Sequence, residues 1–86
     1  MNIIYKELIK KYINLLTIND IKKYALSKNE TLSEQEATII YNYIKKYYNE
    51  LLDKNTNSFT ILKQNLRKEL FNKITLLYNE YASKYI

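Results

Sequence analysis

Residues 33–52 read SEQEATIIYNYIKKYYNELL, and the reading of this stretch decides the fold. It opens on Ser33, with Glu36 three residues on. That is the pattern of a capping box: the serine hydroxyl takes the N–H of the third helical residue, and the glutamate reaches back to the serine N–H. Behind the cap, Ala37, Ile40, Ile44, Tyr47, Tyr48 and Leu51 recur at the three- and four-residue steps of one helix face, with Tyr41 at its edge. The spacing predicts a helix over about residues 34–53. Lys45, Lys46, Asn42 and Asn49 point elsewhere, so the cations stand apart from the rings. Tyrosine suits the margin of a core, where its ring is covered and its hydroxyl reaches a carbonyl or water. A platform for stacking bases would instead need exposed rings beside cations. Tyr43 and Ile39 fall outside the stripe and predict a small apolar patch on the outward face.

The flanks of this helix are read in the same way. Residues 2–16 carry Ile4, Leu8 and Leu15 in one row and Ile9, Ile13 and Leu16 in a second, with Tyr5 and Tyr12 between. They predict an amphipathic helix with a wide apolar face, opposite Lys6, Lys10 and Asn14. Thr17 reads as the cap of a short helix over about 18–28, with Asp20 favourable in its first turn. After the polar loop DKNTNS at 53–58, a last helix is expected over about 59–85, with Ser58 or Asn57 as its cap. Phe59, Leu62, Leu66, Leu70 and Leu77 form one row along it, and Phe71, Ile74, Tyr78, Tyr81 and Tyr85 a second. At 1.5 Å per residue it would be roughly 40 Å long. Arg67, the only arginine of the chain, falls inside that apolar sector. It is expected to run its stem along the core or to pair with a carboxylate in bidentate fashion. The expected architecture is all-α: a small four-helix, bundle-like single domain over 1–86 with a long C-terminal helix.

Composition agrees with this class. Gly and Pro, the usual punctuation of hairpins and tight turns, are both absent from the 86 residues. Cys and His are absent as well, which removes disulfides, thiol chemistry, haem ligation and ordinary zinc sites. Without His, Cys or a glycine-rich phosphate loop, no catalytic, cofactor-binding or metal-binding residues are assigned, and the chain is read as a non-enzyme with no small-molecule ligand. Lys, Asn, Ile and Tyr supply 46 of the 86 residues. All four have AT-rich codons, so their abundance alone points to no function. The net charge of +5 permits attraction to polyanions, but nine acidic residues are interspersed with the fourteen basic ones. No run approaches the roughly 18 apolar residues of a membrane span. A cytoplasmic location is expected, in keeping with the missing cysteines.

Two functional expectations follow. The preferred one is a protein-interaction or self-associating module, with Ile39, Tyr43, Phe71, Tyr78 and Tyr85 as the candidate patch. The alternative is a nucleic-acid-binding domain in which the second and third helices resemble a helix-turn-helix, with Lys22, Lys23, Asn42, Lys45, Lys46 and Asn49 toward the duplex. Against that alternative, Glu34 and Glu36 stand where the recognition helix would enter the groove. A third option is surface attachment to a membrane through the first helix, whose apolar face is flanked by Lys6, Lys10 and Lys11.

Leu16-Thr17, Asp20-Ile21, Lys23-Tyr24-Ala25, Leu32-Ser33 and Ala37 together resemble the YqfT-like domain of unknown function of Bacillota. Its members read LT-x-x-E-L-x-K-Y-A and, after a fixed gap, L-T-x-x-Q-A. This chain departs from that pattern at Glu30, where the family has an apolar residue, and it lacks the family's turn proline. The resemblance implies an all-helical, cytoplasmic bacterial protein and supplies no activity, cofactor or site.

Overall fold

The computed structural model describes residues 3–85 of the chain, and the side chains of residues 3–84. Among the described residues there are five α-helices and no strand: α1 (Ile3–Leu15), α2 (Ile18–Ser27), α3 (Glu34–Leu52), α4 (Phe59–Asn65) and α5 (Lys68–Tyr85). The fold is a small all-α domain. Both capping boxes form. Asp20 N donates to Thr17 Oγ1 at 3.1 Å while Thr17 N donates to Asp20 Oδ2 at 3.0 Å. Glu36 N donates to Ser33 Oγ at 3.1 Å while Ser33 N donates to Glu36 Oε1 at 3.0 Å.

The helix ends show how a chain without glycine stops a helix. Asn29 (φ 63°) and Lys54 (φ 60°) take the left-handed conformation just beyond α2 and α3. Each end is closed by two backbone bonds: Asn29 N to Leu26 O and Glu30 N to Ala25 O, then Lys54 N to Leu51 O and Asn55 N to Glu50 O. Asparagine tolerates that conformation, whereas a lysine there bears a steric cost of about 1 kcal/mol.

α3 is the central element. It packs against α1, α2 and α4, and α4 packs against α5. The buried cluster is Tyr43, Leu62, Leu66 and Leu70, with Ile39, Ile40, Ile44, Tyr47, Phe59 and Phe71 among those packed around it. Tyr43 is only 5 % exposed. The outward patch expected at Ile39 and Tyr43 is therefore absent: Ile39 is half-buried and Tyr43 is core. The reason is that α3 is covered on two sides. α1 and α2 pack on it as well as α4, and Leu70 and Phe71 of α5 join the cluster around Tyr43.

The long last helix is also corrected. Leu66 is extended (φ −120°, ψ 151°) and separates α4 from α5. A continuous helix of roughly 40 Å would outrun the molecule, whose longest extent is 34 Å. No proline or glycine makes the break. Across the break Leu62, Leu66 and Leu70 stay in the cluster around Tyr43, and Arg67, just after it, reaches across to two glutamates. Nor does Ser58 cap α4 with its side chain. It is buried, and its hydroxyl lies 2.6 Å from that of Tyr43.

Candidate interaction surface and central cleft

α1 is joined to the body along one side. Ile9, Ile13 and Leu16 are half-buried, and no described residue of α1 is buried outright. Polar ties reinforce this side. Lys6 Nζ meets Asp53 Oδ1 at 2.7 Å. Lys45 Nζ donates to Ile13 O at 2.5 Å and to Asn14 O at 3.2 Å, placing a cation at the carbonyl end of the helix. The rest of the apolar face remains outside. Tyr5, Leu8, Tyr12 and Leu15 are 60, 59, 72 and 73 % exposed. At about 100° per residue they fall in one stripe about 80° wide, with Glu7 and Lys11 on the flank away from the body. The periodicity of 2–16 located this apolar face, but which half of it the neighbours cover is not encoded in the helix itself.

Beneath α1 lies a cleft of about 400 Å³, walled by Ile21, Ile40, Ile44, Leu62, Leu70 and Ile74. Asp20, Lys28, Glu30 and Lys73 are the charged members of its lining. A second hollow of about 580 Å³ lies alongside, lined by Tyr5, Ile9, Tyr48, Leu52 and Lys84, and it shares Ile13, Ile44, Leu51, Tyr78 and Tyr81 with the first. Tyr24 Oη donates to Tyr81 Oη at 2.9 Å, tying α2 to α5. Burial, followed by the Tyr81 hydrogen bond, raises the Tyr24 phenol from 10.0 to about 12. Sequence reasoning had no signal for this cleft, because it arises from how far apart the helices stand.

The structure disperses the expected patch residues. Phe71 is half-buried and meets Phe59 edge-on, with centroids 6.2 Å apart. Tyr78 is half-buried and donates its hydroxyl to Leu51 O at 2.6 Å. The side chain of Tyr85 lies outside the described residues. The expected nucleic-acid face is likewise divided. Lys22 pairs with Glu34, and Lys45 is committed to the end of α1 and stands 5.3 Å from the Tyr41 ring centroid. Lys23, Asn42, Lys46 and Asn49 are exposed.

Arg67 takes the second of its expected roles, though spread over two carboxylates. Its Nε donates to Glu36 Oε2 at 2.7 Å and one terminal nitrogen to Glu30 Oε1 at 2.5 Å. It thus pins the α4–α5 break to the start of α3 and to the loop before it. The Ser33 N–H, and after it the Arg67 guanidinium, hold the Glu36 carboxyl below its ordinary value. Among the described residues no group of three or more acidic side chains is placed to hold a metal ion, and no helix is long and apolar enough to cross a membrane. No protein-family model, curated protein or solved structure matches the chain.

Proposed function

We propose that this chain is a non-catalytic protein-interaction module that docks through the outer face of α1. The supporting observation is the stripe of Tyr5, Leu8, Tyr12 and Leu15, each more than half exposed on one helix. Single exposed apolar residues are ordinary, but a contiguous stripe rimmed by charge is the usual mark of a docking surface. Two tyrosines suit such a face, because each offers a large, stiff contact area with a polar tip. Of the residues first expected to form the patch, Tyr43 is buried and Ile39, Phe71 and Tyr78 are half-buried, so the reading moves from α3 and α5 to α1. A cytoplasmic setting belongs to the same proposal and is in keeping with the lack of cysteine. The nucleic-acid alternative gains no support from Lys22 and Lys45, both already engaged within the fold.

The test is a photo-crosslinking residue placed at position 8 in the full chain, in the cells that make it, with Lys63 on α4 as the control position. Protein adducts from position 8, and none from position 63, are expected. Adducts to lipid alone, or none, would overturn the reading.

A further inference from the structure

Resting on that reading, we infer that the partner is a second copy of this chain, with two α1 helices paired antiparallel across a two-fold axis level with Lys10. The stripe is self-complementary in this register. Tyr5 meets the partner's Leu15, and Leu8 meets the partner's Tyr12, so each ring lies on an aliphatic side chain along the whole stripe. The body lies on the other flank of α1, along Ile9, Ile13 and Leu16, so this two-fold puts both bodies on the same side of the helix pair and leaves both free flanks on the other.

Charge selects the direction. Glu7 and Lys11 are exposed on the free flank, one turn apart. In the antiparallel register the flank carries, in order, Glu7, the partner's Lys11, Lys11 and the partner's Glu7. Opposite signs adjoin at both ends of that row, with one like pair at the axis. A parallel pairing, with its two-fold along the helices, would turn the two free flanks to opposite sides and set Glu7 and Lys11 beside the partner's Ile9, the partner's Ile13 and the partner's Leu16, with no opposite charge facing them. The isologous arrangement is also the commonest way for a soluble chain to close an oligomer.

Area sets the strength. From their exposures, the four stripe side chains offer on the order of 500 Å² per copy. The total of about 1,000 Å² falls at the lower edge of specific interfaces. Because pairing can bury at most that area, the dimer is expected to be weak and reversible.

The test is sedimentation velocity of the full chain from about 1 μM to about 1 mM, the span that an interface of this size calls for. The mass is expected to double across it. Leu8→Lys is expected to leave a monomer with unchanged helical circular dichroism, because Leu8 is exposed in the single chain. Glu7→Lys makes the flank row wholly cationic and is expected to weaken the dimer about tenfold, the sum of several exposed charge pairs. The double swap Glu7→Lys/Lys11→Glu restores alternation at both ends and is expected to return affinity to within about twofold of the parent. A monomer at about 1 mM would overturn the inference, as would a dimer indifferent to Leu8→Lys, or a double swap no better than Glu7→Lys. In the crosslinking experiment, an adduct of twice the chain mass agrees with self-pairing. A protein adduct of any other mass, with no doubled species, overturns self-pairing and leaves α1 as the docking face of the interaction module.

Discussion

Removing the Tyr43 hydroxyl strands Ser58. The two oxygens are 2.6 Å apart in the most enclosed part of the molecule, and burial raises the Tyr43 phenol above its ordinary value. Tyr43→Phe is expected to cost about 1–2 kcal/mol by urea unfolding, with Ser58→Ala similar and the double change less than additive. Tyr43→Lys would place a charge in the core and is expected to prevent folding rather than to probe any surface. Two titrations follow from the polar ties. Glu36 has its carboxyl lowered in the fold, first by the Ser33 N–H and then by Arg67. Its contribution is therefore present above the ordinary carboxylate value and lost as pH falls through the lowered one. Thermal melts between pH 6 and pH 2 should show a shallower acid loss for Glu36→Gln than for the parent. Tyr24 runs the other way. Its phenol is raised to about 12, so its contribution is full below 10.0 and fades as pH rises toward about 12. Tyr24→Phe should flatten the alkaline limb of the same melts.

At the scale of the helix, local signals were legible and tertiary ones were not. Ser33–Glu36 and Thr17–Asp20 cap α3 and α2 as the sequence indicates, because a cap depends only on residues within one turn. Ser33→Ala should accordingly cost about 1 kcal/mol. The wheel of α3 misplaced Tyr43 because it assumed one covered face, whereas α3 is enclosed on two sides. The break at Leu66 escaped for a related reason. Nothing in QNLRKEL forbids a helix, and Leu62, Leu66 and Leu70 would share one face of a continuous one, so the local pattern carries no mark of the break; what accompanies it is long-range, the pairing of Arg67 with Glu36 and Glu30. Lys54 shows a local compromise that is visible only in the backbone. Lys54→Gly should stabilise the fold by about 0.5–1 kcal/mol, read as a shift in the urea midpoint at constant slope, because glycine takes positive φ without penalty.

For the molecule as a whole, helical class and the first three helices could be read from caps and periodicity, but the break in the last helix and the spacing between helices could not. A fully closed void of about 400 Å³ would cost about 10 kcal/mol, as much as a small domain's entire stability. The cleft is consistent with this, because it opens to solvent rather than being sealed. The candidate surface was half legible: residues 2–16 announced an apolar helix face, and only the packing of its neighbours showed which side remains uncovered. Ile39, Tyr43, Phe71 and Tyr78, expected on the surface, are drawn inward by the same packing.

α1 holds to the body through a half-buried row, one ion pair and the Lys45 contacts, with no fully enclosed side chain among its described residues. Such a segment opens before the rest of a domain does. Trypsin should therefore cut first after Lys10 or Lys11, releasing an amino-terminal peptide while the remaining helices survive intact. In dilute solution that nick would come quickly, and crowding the chains together should slow it, so the protein's resistance to digestion would depend on how much of it is present.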